Sequence, residues 1–398
     1  MKNASERLNR LAESATLAMA RMSRELISEG HDIISLSLGE PDFETPEFIK
    51  EAAKKAIDNN YSHYTPVPGL SELRNSISKK FKRDNNLEYD ENQIVVSTGA
   101  KQSLANVCLS LLNQDDEVIL PCPYWVSYAE IVKIAEAKPI KISSSINNDF
   151  KVTPHEIEKA ITARTKMIIF SSPCNPSGTV YTKKELQDIA KMLERYPNIY
   201  IVSDEIYEHI NFTNEHFSIG TIPSMKDRTI TVNGVSKGFA MTGWRVGFIG
   251  APSWIAKACN KIQGQITSAT CAVAQKAAEE AMLADPISVT AKMKDTFLLR
   301  RDLMINILQS IPGIKYNIPE GAFYVFPDIS SYFGKSDGDI IINNANDFCM
   351  YLLNKAHVGC VAGDAFGNPE CIRISYATSD KRLIEAMERI KIQLNKLK

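Results

Sequence analysis

The chain has 398 residues, of which 44% are hydrophobic and 23% are charged, and its formal net charge is −1. This composition is ordinary for a globular protein with two domains, and the nearly balanced charge gives no general attraction to nucleic acid or to membranes. No apolar run approaches the roughly 18 residues that a membrane-spanning helix requires.

The cysteines and the first residues indicate the compartment. The eight cysteines are dispersed without a CxxC pair, and the N-terminus lacks the long apolar core of a secretory signal. We therefore expect a cytoplasmic protein with reduced thiols, and we predict no metal site.

Periodicity predicts the elements of the first two thirds of the chain. The apolar residues from Leu8 to Leu26 recur every three or four positions, which predicts an amphipathic helix packed on the body of the protein. From Gln93 to Gly250 short apolar runs alternate with helical patterns, which predicts an α/β domain with a mostly parallel, buried sheet. The predicted strands lie near Gln93–Ser97, Glu117–Leu120, Pro139–Ile142, Lys166–Phe170, Ile199–Val202, Thr229–Val232 and Val246–Gly250, and the helical patterns include Leu104–Leu112, Pro154–Ile161 and Lys184–Leu193.

The sequence after Gly250 predicts a smaller α+β domain. Helical stretches run from Ser253 to Ile311, and a final helix is predicted at Lys381–Leu397. We predict that residues 1–45 form an N-terminal segment that joins the small domain, residues 46–290 the large domain, and residues 291–398 the small domain. The strand-like runs of the small domain are Phe323–Phe326, His357–Val361 and Cys371–Tyr376.

Two loops that follow predicted strands suit ligand binding. Ser97-Thr-Gly-Ala-Lys-Gln102 opens a helical pattern, and N–H groups at a helix N-terminus bind phosphate well. It contains a single glycine and is therefore not a Walker loop. The alternative interpretation is an ordinary turn between a strand and a helix. In Ser171-Ser-Pro-Cys-Asn-Pro-Ser-Gly178 the prolines and the glycine fix a loop around Asn175, whose amide suits a ligand, although Asn-Pro is also a common turn pair.

Asp204 and Tyr207 follow the apolar run Ile199–Val202. Open α/β sheets bind ligands at the carboxyl ends of their strands. A carboxylate at that position can keep a pyridinium nitrogen protonated, and a phenol can hydrogen-bond the oxygen on the same ring. A helix N-cap is the alternative role for Asp204.

The segment from Asn233 to Arg245 is the most informative one. Lys237 lies among small residues directly after the predicted strand Thr229–Val232, which suits an amine that is desolvated to attack a carbonyl. Arg245 offers a planar fork for a phosphate. A carbonyl and a phosphate on one small molecule suggest pyridoxal phosphate, whereas an exposed lysine and a surface ion pair are the alternative.

In this order the motifs resemble those of the fold-type I, class I and II aminotransferases, the aspartate aminotransferase family, and above all its bacterial branch. The resemblance runs from about Leu11 to the C-terminus. It implies an α/β fold whose large domain has a mostly parallel sheet flanked by helices, with a smaller α+β domain. The ordered set consists of Leu38-Gly-Glu-Pro-Asp-Phe43, Tyr64, Gly69, Leu73-Arg74, Gly99-Ala-Lys-Gln102, Trp125, Asn175-Pro176, Asp204, Tyr207, Lys237, Arg245 and Arg373.

The resemblance also implies roles in binding pyridoxal 5'-phosphate. Lys237 corresponds to the Schiff-base lysine and Asp204 to the pyridinium partner, and both are implied to be catalytic together with Tyr207. Asn175 and Tyr207 correspond to the phenolate partners. Trp125 corresponds to an indole that stacks on the ring. The implied phosphate binders are Gly99, Ala100, Lys101, Ser236, Arg245 and Tyr64, the last of which reaches a partner subunit's site and implies a homodimer.

One departure from the family concerns the phosphate. Many relatives carry a phosphate-binding serine where this chain has Gly234, and Ser236 is the candidate replacement.

The implied substrates are an amino acid and a 2-oxo acid. Arg373 corresponds to the arginine that holds the α-carboxylate, and the branch uses residues matching Lys101 and Thr16 for a second carboxylate. The other substrate contacts implied are Gly39, Trp125 and Asn175.

The implied reaction is ping-pong transamination between L-aspartate and 2-oxoglutarate. Prephenate, aromatic or alanine-type donors remain alternatives, as does a β-lyase or cyclase on the same scaffold. A transcriptional regulator with an aminotransferase-like domain would need an added helix-turn-helix module, for which the chain has no spare length.

Overall fold

A computed structural model describes residues 5–213 and 215–398 of the chain. The helices are α1 (Glu6–Asn9), α2 (Ala15–Ser28), α3 (Glu47–Asp58), α4 (Ser71–Asn85), α5 (Ala100–Leu111), α6 (Ser127–Ile134), α7 (Pro154–Ala160), α8 (Lys183–Leu193), α9 (Ser253–Ile266), α10 (Ala272–Leu283), α11 (Pro286–Gln309), α12 (Ala345–Tyr351) and α13 (Asp380–Leu394). The strands are β1 (Ile34–Ser35), β2 (Ile94–Ser97), β3 (Glu117–Pro121), β4 (Lys138–Ile142), β5 (Thr165–Ser171), β6 (Tyr200–Asp204), β7 (Thr229–Gly234), β8 (Gly247–Gly250), β9 (Tyr324–Val325), β10 (Ser336–Asp337), β11 (Ile340–Ile341), β12 (Val358–Gly359), β13 (Val361–Ala362) and β14 (Ile372–Ser375).

The seven strands expected in the α/β region form one sheet. Their order is β2-β8-β7-β6-β5-β3-β4. β8 runs antiparallel to both of its neighbours, and all other adjacent pairs are parallel. The predicted mostly parallel sheet is therefore confirmed.

Helices cover both faces of this sheet, which explains why its strands are nearly continuous apolar runs. Along β3, Val118 and Leu120 join a core with α5, α6 and α9. Ile119 points to the opposite face and packs with residues of α7 and α8. A third core joins β2 and β8 to α3, α4 and α10. The alternation of side chains thus divides one sheet between separate cores.

A separate core lies in the last quarter of the chain. It combines residues of α11, α12 and α13 with the antiparallel strands β13-β14-β9, and it also includes Met19, Ile34 and Leu36. β1 pairs in parallel with β12. These contacts support the expectation that the N-terminal segment joins the small domain. The domain limits stay predictions, and the limit between residues 290 and 291 lies within α11.

The predicted N-terminal helix is interrupted in the structure. It forms α1 and α2 instead, and residues 11–14 between them are not helical. The backbone N–H of Ala12 donates to Glu130 at 2.9 Å, and Arg7 and Arg10 both pair with Glu136 at 3.4 Å. Contacts with the region of α6 therefore override the helical periodicity here. Among the described residues, no helix has the length and apolar character needed to cross a bilayer.

Candidate active site

A cavity of about 260 Å³ lies at the carboxyl ends of β5, β6 and β7. Parallel strands end at the same edge of a sheet, so the loops that follow them meet there. The sequence-predicted residues that line the cavity are Thr16, Gly39, Ala100, Lys101, Trp125, Asn175, Asp204, Tyr207, Ser236, Lys237, Arg245 and Arg373.

Lys237 follows β7 and its ammonium donates a hydrogen bond to the carbonyl of Gly39. Burial lowers the pKa of Lys237 to about 8, and the positive charge of Arg373 acts in the same direction. A lysine of this kind is partly neutral at physiological pH and can act as a nucleophile or as a base.

Asp204 is the last residue of β6 and is 4% exposed. The Tyr128 hydroxyl donates to its Oδ2 at 2.6 Å, and the backbone N–H of Ile206 donates to its Oδ1 at 3.3 Å. Burial raises the pKa of Asp204 to about 6. Residues 206–209 form a turn, so Asp204 does not cap a helix. Its buried carboxylate is suited to a cationic partner inside the cavity.

Arg373 enters the cavity from β14 with only 1% of its surface exposed. It donates to Asn175 Oδ1 at 2.9 Å, to the carbonyl of Ser37 at 2.5 Å and to Thr16 Oγ1 at 3.4 Å. Its Nε is buried without a partner. A buried guanidinium with an unused donor is suited to an anionic ligand.

A second cationic region lies at the N-terminus of α5. Arg245 approaches Gly99 so closely that a Cβ there would lie 2.3 Å from Arg245 Nη2, and Gly99 has φ +83°. The positive φ favours glycine at this position, and the close contact shows that the Arg245 guanidinium packs directly on this turn. Lys101 Nζ lies 5.0 Å from the centroid of the Trp125 ring. Burial lowers the pKa of Lys101, and the nearby positive charge of Arg245 lowers it further.

The departure at Gly234 has a steric cause. A Cβ at this position would lie 2.9 Å from Gly247 Cα and 2.9 Å from the carbonyl oxygen of Val246. β7 and β8 pair too closely here for serine. Ser236 lines the cavity nearby, and its replacement role stays a prediction.

A family model described as "Aminotransferase class I and II" matches residues 31–390.

The chain belongs to this family.

This aminotransferase is 45% identical over 389 residues to the aspartate/prephenate aminotransferase of Cereibacter sphaeroides, with 97% of each chain covered. It is also 45% identical over 398 residues to a bifunctional aspartate aminotransferase and glutamate/aspartate-prephenate aminotransferase of Petunia hybrida, covering 99% of this chain and 83% of the relative. The crystal structure of the aspartate aminotransferase from Rhizobium meliloti matches with a TM-score of 0.96 and 40% identity, covering 100% of each chain. The expected family and fold type are therefore confirmed.

Two predicted residues of the aminotransferase do not line the cavity. Gly99 packs against the guanidinium of Arg245. Tyr64 is 98% exposed, so within one chain it belongs to the surface rather than to the site. Its role toward a partner subunit stays a prediction.

Nine residues that line the cavity of the aminotransferase were not predicted from the sequence. Two of them, Tyr128 and Tyr324, have hydroxyls that contact the predicted residues Asp204 and Tyr207. Tyr128 lies in the first turn of α6, and its ring packs edge-on against Trp125 with centroids 5.5 Å apart. Trp125 precedes the helix, so helical periodicity did not link the two residues. Tyr324 lies on β9, inside a predicted strand, and nothing local distinguishes it from a core aromatic residue.

A buried charged cluster lies beyond Asp204 in the aminotransferase. Glu205 accepts a hydrogen bond from His216 at 2.7 Å, and Glu208 pairs with Lys80. Asn85 donates to both carboxylates, at 2.9 and 2.5 Å. Because protein donors already occupy these oxygens, we interpret the cluster as an internal ion-pair network rather than as a metal site.

Proposed function

We propose that this aminotransferase uses pyridoxal 5'-phosphate to transfer an amino group between L-aspartate and 2-oxoglutarate by a ping-pong mechanism. The observation that carries the proposal is one cavity that joins Lys237, with its lowered pKa, to the buried Asp204 and to two separate cations, Arg373 and Lys101. Each of these groups suits a different part of the cofactor or of a dicarboxylic substrate.

The residues fit the cofactor at each of its polar atoms. Asp204 would hold the proton on the ring nitrogen, and Asn175 and Tyr207 would donate to the phenolate oxygen. Trp125 offers an aromatic face. The close approach of Arg245 to the N-terminus of α5, together with Ser236, supports a phosphate site there.

The protein's part in the reaction follows from these positions. When bound, pyridoxal phosphate supplies the carbonyl that receives the amino group and a protonated ring that accepts electron density. Lys237 would take the proton from the substrate's α-carbon, which its lowered pKa favours. Arg373 would bind the α-carboxylate and so orient that carbon toward Lys237.

Aspartate as donor is supported by charge counting. Its two carboxylates need two cations, and Lys101 lines the same cavity as Arg373 on a different element. Prephenate is a second candidate because relatives at 45% identity are named aspartate/prephenate aminotransferases.

We also propose a homodimer with shared active sites. The support is the exposure of Tyr64, whose large side chain has 98% of its surface free in one chain. Symmetric dimers are the commonest oligomers. A cytoplasmic location is proposed as well, and the free state of all eight cysteines fits it.

Single-turnover absorbance measurements test the function. The cofactor-loaded enzyme is mixed with aspartate, glutamate, alanine, phenylalanine and tyrosine, and conversion of the cofactor is followed for each donor. We expect aspartate and glutamate to convert it fastest. If aspartate does not convert it, or if products other than the 2-oxo acid form, the proposal is wrong.

A further inference from the structure

Four side chains of the proposed site form a closed ring of contacts. Arg373 donates to Asn175 Oδ1 at 2.9 Å, and Asn175 Nδ2 donates to Tyr207 Oη at 3.4 Å. Tyr207 Oη lies 2.8 Å from Tyr324 Oη. The Tyr324 ring lies under the guanidinium, with Arg373 Cζ 4.6 Å from its centroid. Tyr324 therefore contacts both Arg373, the proposed carboxylate binder, and Tyr207, a proposed phenolate partner.

The hydroxyl of Tyr324 has little freedom to move. A Cβ at Gly39 would lie 2.1 Å from Tyr324 Oη, so the backbone of Gly39 packs directly against that oxygen. Phe323 packs beside the ring, with centroids 4.7 Å apart. Tyr324 is fully buried. Its position is thus set by packing before any ligand binds.

The bond between the two hydroxyls has a direction once an anion occupies the cavity. A phenol has one proton to donate. Burial, with Tyr324 next to it, raises the pKa of Tyr207 well above its usual range, so Tyr207 keeps its proton. If the Tyr207 hydroxyl donates its one hydrogen bond to a phenolate oxygen, the hydrogen bond between the two tyrosines must be donated by Tyr324.

We propose that Tyr324 is a positioning residue: its hydroxyl donates to Tyr207 and directs the Tyr207 proton into the cavity, while its ring sets the plane of Arg373. The inference rests on the proposed function, since it assigns a partner to a residue of that same site. The cofactor's phenolate would therefore be stabilised by a relay of two tyrosines rather than by Tyr207 alone.

The hydroxyl is tested with Tyr324→Phe, which keeps the ring. We expect the midpoint of the pH-dependent absorbance change of the bound cofactor to rise by about half a pH unit, because Tyr207 without this donor supports less negative charge on the phenolate oxygen. In a Tyr207→Phe background the same substitution should leave the midpoint unchanged, since the two hydroxyls act as one unit.

The ring is tested by binding of maleate, a dicarboxylic acid that cannot receive an amino group. Tyr324→Phe should keep its dissociation constant within about twofold, whereas Tyr324→Leu should raise it about tenfold, as expected when a desolvated cation loses its aromatic partner. Tyr376→Phe is the matched control. Tyr376 is equally buried in the same core, its hydroxyl contacts the carbonyl of Ala322, and its loss should change neither measurement.

Three outcomes overturn the inference. One is an unchanged midpoint in Tyr324→Phe while Tyr207→Phe shifts it. Another is a shift that persists undiminished in the Tyr207→Phe background, which would indicate a general structural effect. If Tyr207→Phe itself leaves the midpoint unchanged, the role of Tyr207 in the proposed function fails, and the inference fails with it.

Discussion

Replacement of Lys101 by serine should lower kcat/KM for dicarboxylic substrates far more than for other substrates. Lys101 lies in the first turn of α5, over the Trp125 ring, and it lines the cavity that Arg373 enters from β14. Breaking a charge pair in a desolvated site costs about 2–5 kcal/mol, whereas an exposed pair is worth at most about 1 kcal/mol. Because Lys101 is exposed in the single chain, we expect a loss at the lower limit for a desolvated pair, about 2 kcal/mol.

That loss corresponds to a roughly 30-fold lower kcat/KM. Steady-state assays should show it for aspartate and 2-oxoglutarate, while alanine and aromatic donors change far less. Lys166→Ser is the matched control, because Lys166 also lies over an aromatic ring, that of Tyr200, outside the cavity. An equal loss for every donor would mean that Lys101 serves the cofactor or the fold, and the assignment to acidic substrates would lose its main support.

Further expectations concern the cofactor and the assembly. Lys237→Ala should lose the pH-dependent visible absorbance and nearly all turnover; borohydride labelling of a different lysine would contradict this. Asp204→Ala should be slower by several orders of magnitude, and a rate within tenfold of the parent enzyme, about 1.4 kcal/mol, would exclude its role. Since the pKa of Lys237 is lowered to about 8, its neutral fraction grows as pH rises through that value. The rate at which apoenzyme recombines with cofactor should therefore rise from pH 6.5 to 8.5 and level off above, and a pH-independent rate would refute this. Tyr64→Phe should weaken cofactor binding in a dimer; a fully active monomer in sedimentation would refute the shared site.

The sheet and most of the cavity residues were predictable because their signals are local. Asp204 and Lys237 follow apolar runs that became β6 and β7, and parallel strands bring such ends together without further information. Seven predicted strands are seven observed strands, with ends that differ by only one or two residues.

The remainder depends on contacts between distant parts of the chain. Tyr324 could not be predicted, because its role arises from the approach of β9 to Gly39 and Tyr207. The break between α1 and α2 depends on Glu130, which is far away in sequence. The need for glycine at Gly234 appears only when β8 is placed beside it.

The hydrogen bond from Lys237 to Gly39 has a consequence for motion. Gly39 follows Leu36 and Ser37, whose carbonyls accept hydrogen bonds from the N–H of Ser375 and from Arg373, on β14. The lysine thus links the core of the large sheet to the core that contains β14. If Lys237 bonds to a ligand, it can no longer donate this hydrogen bond to Gly39. The rate of amide hydrogen exchange around Gly39 should therefore depend on whether a ligand occupies the cavity. Ligand binding would replace the hydrogen bond between Lys237 and Gly39 by contacts that run through the bound molecule.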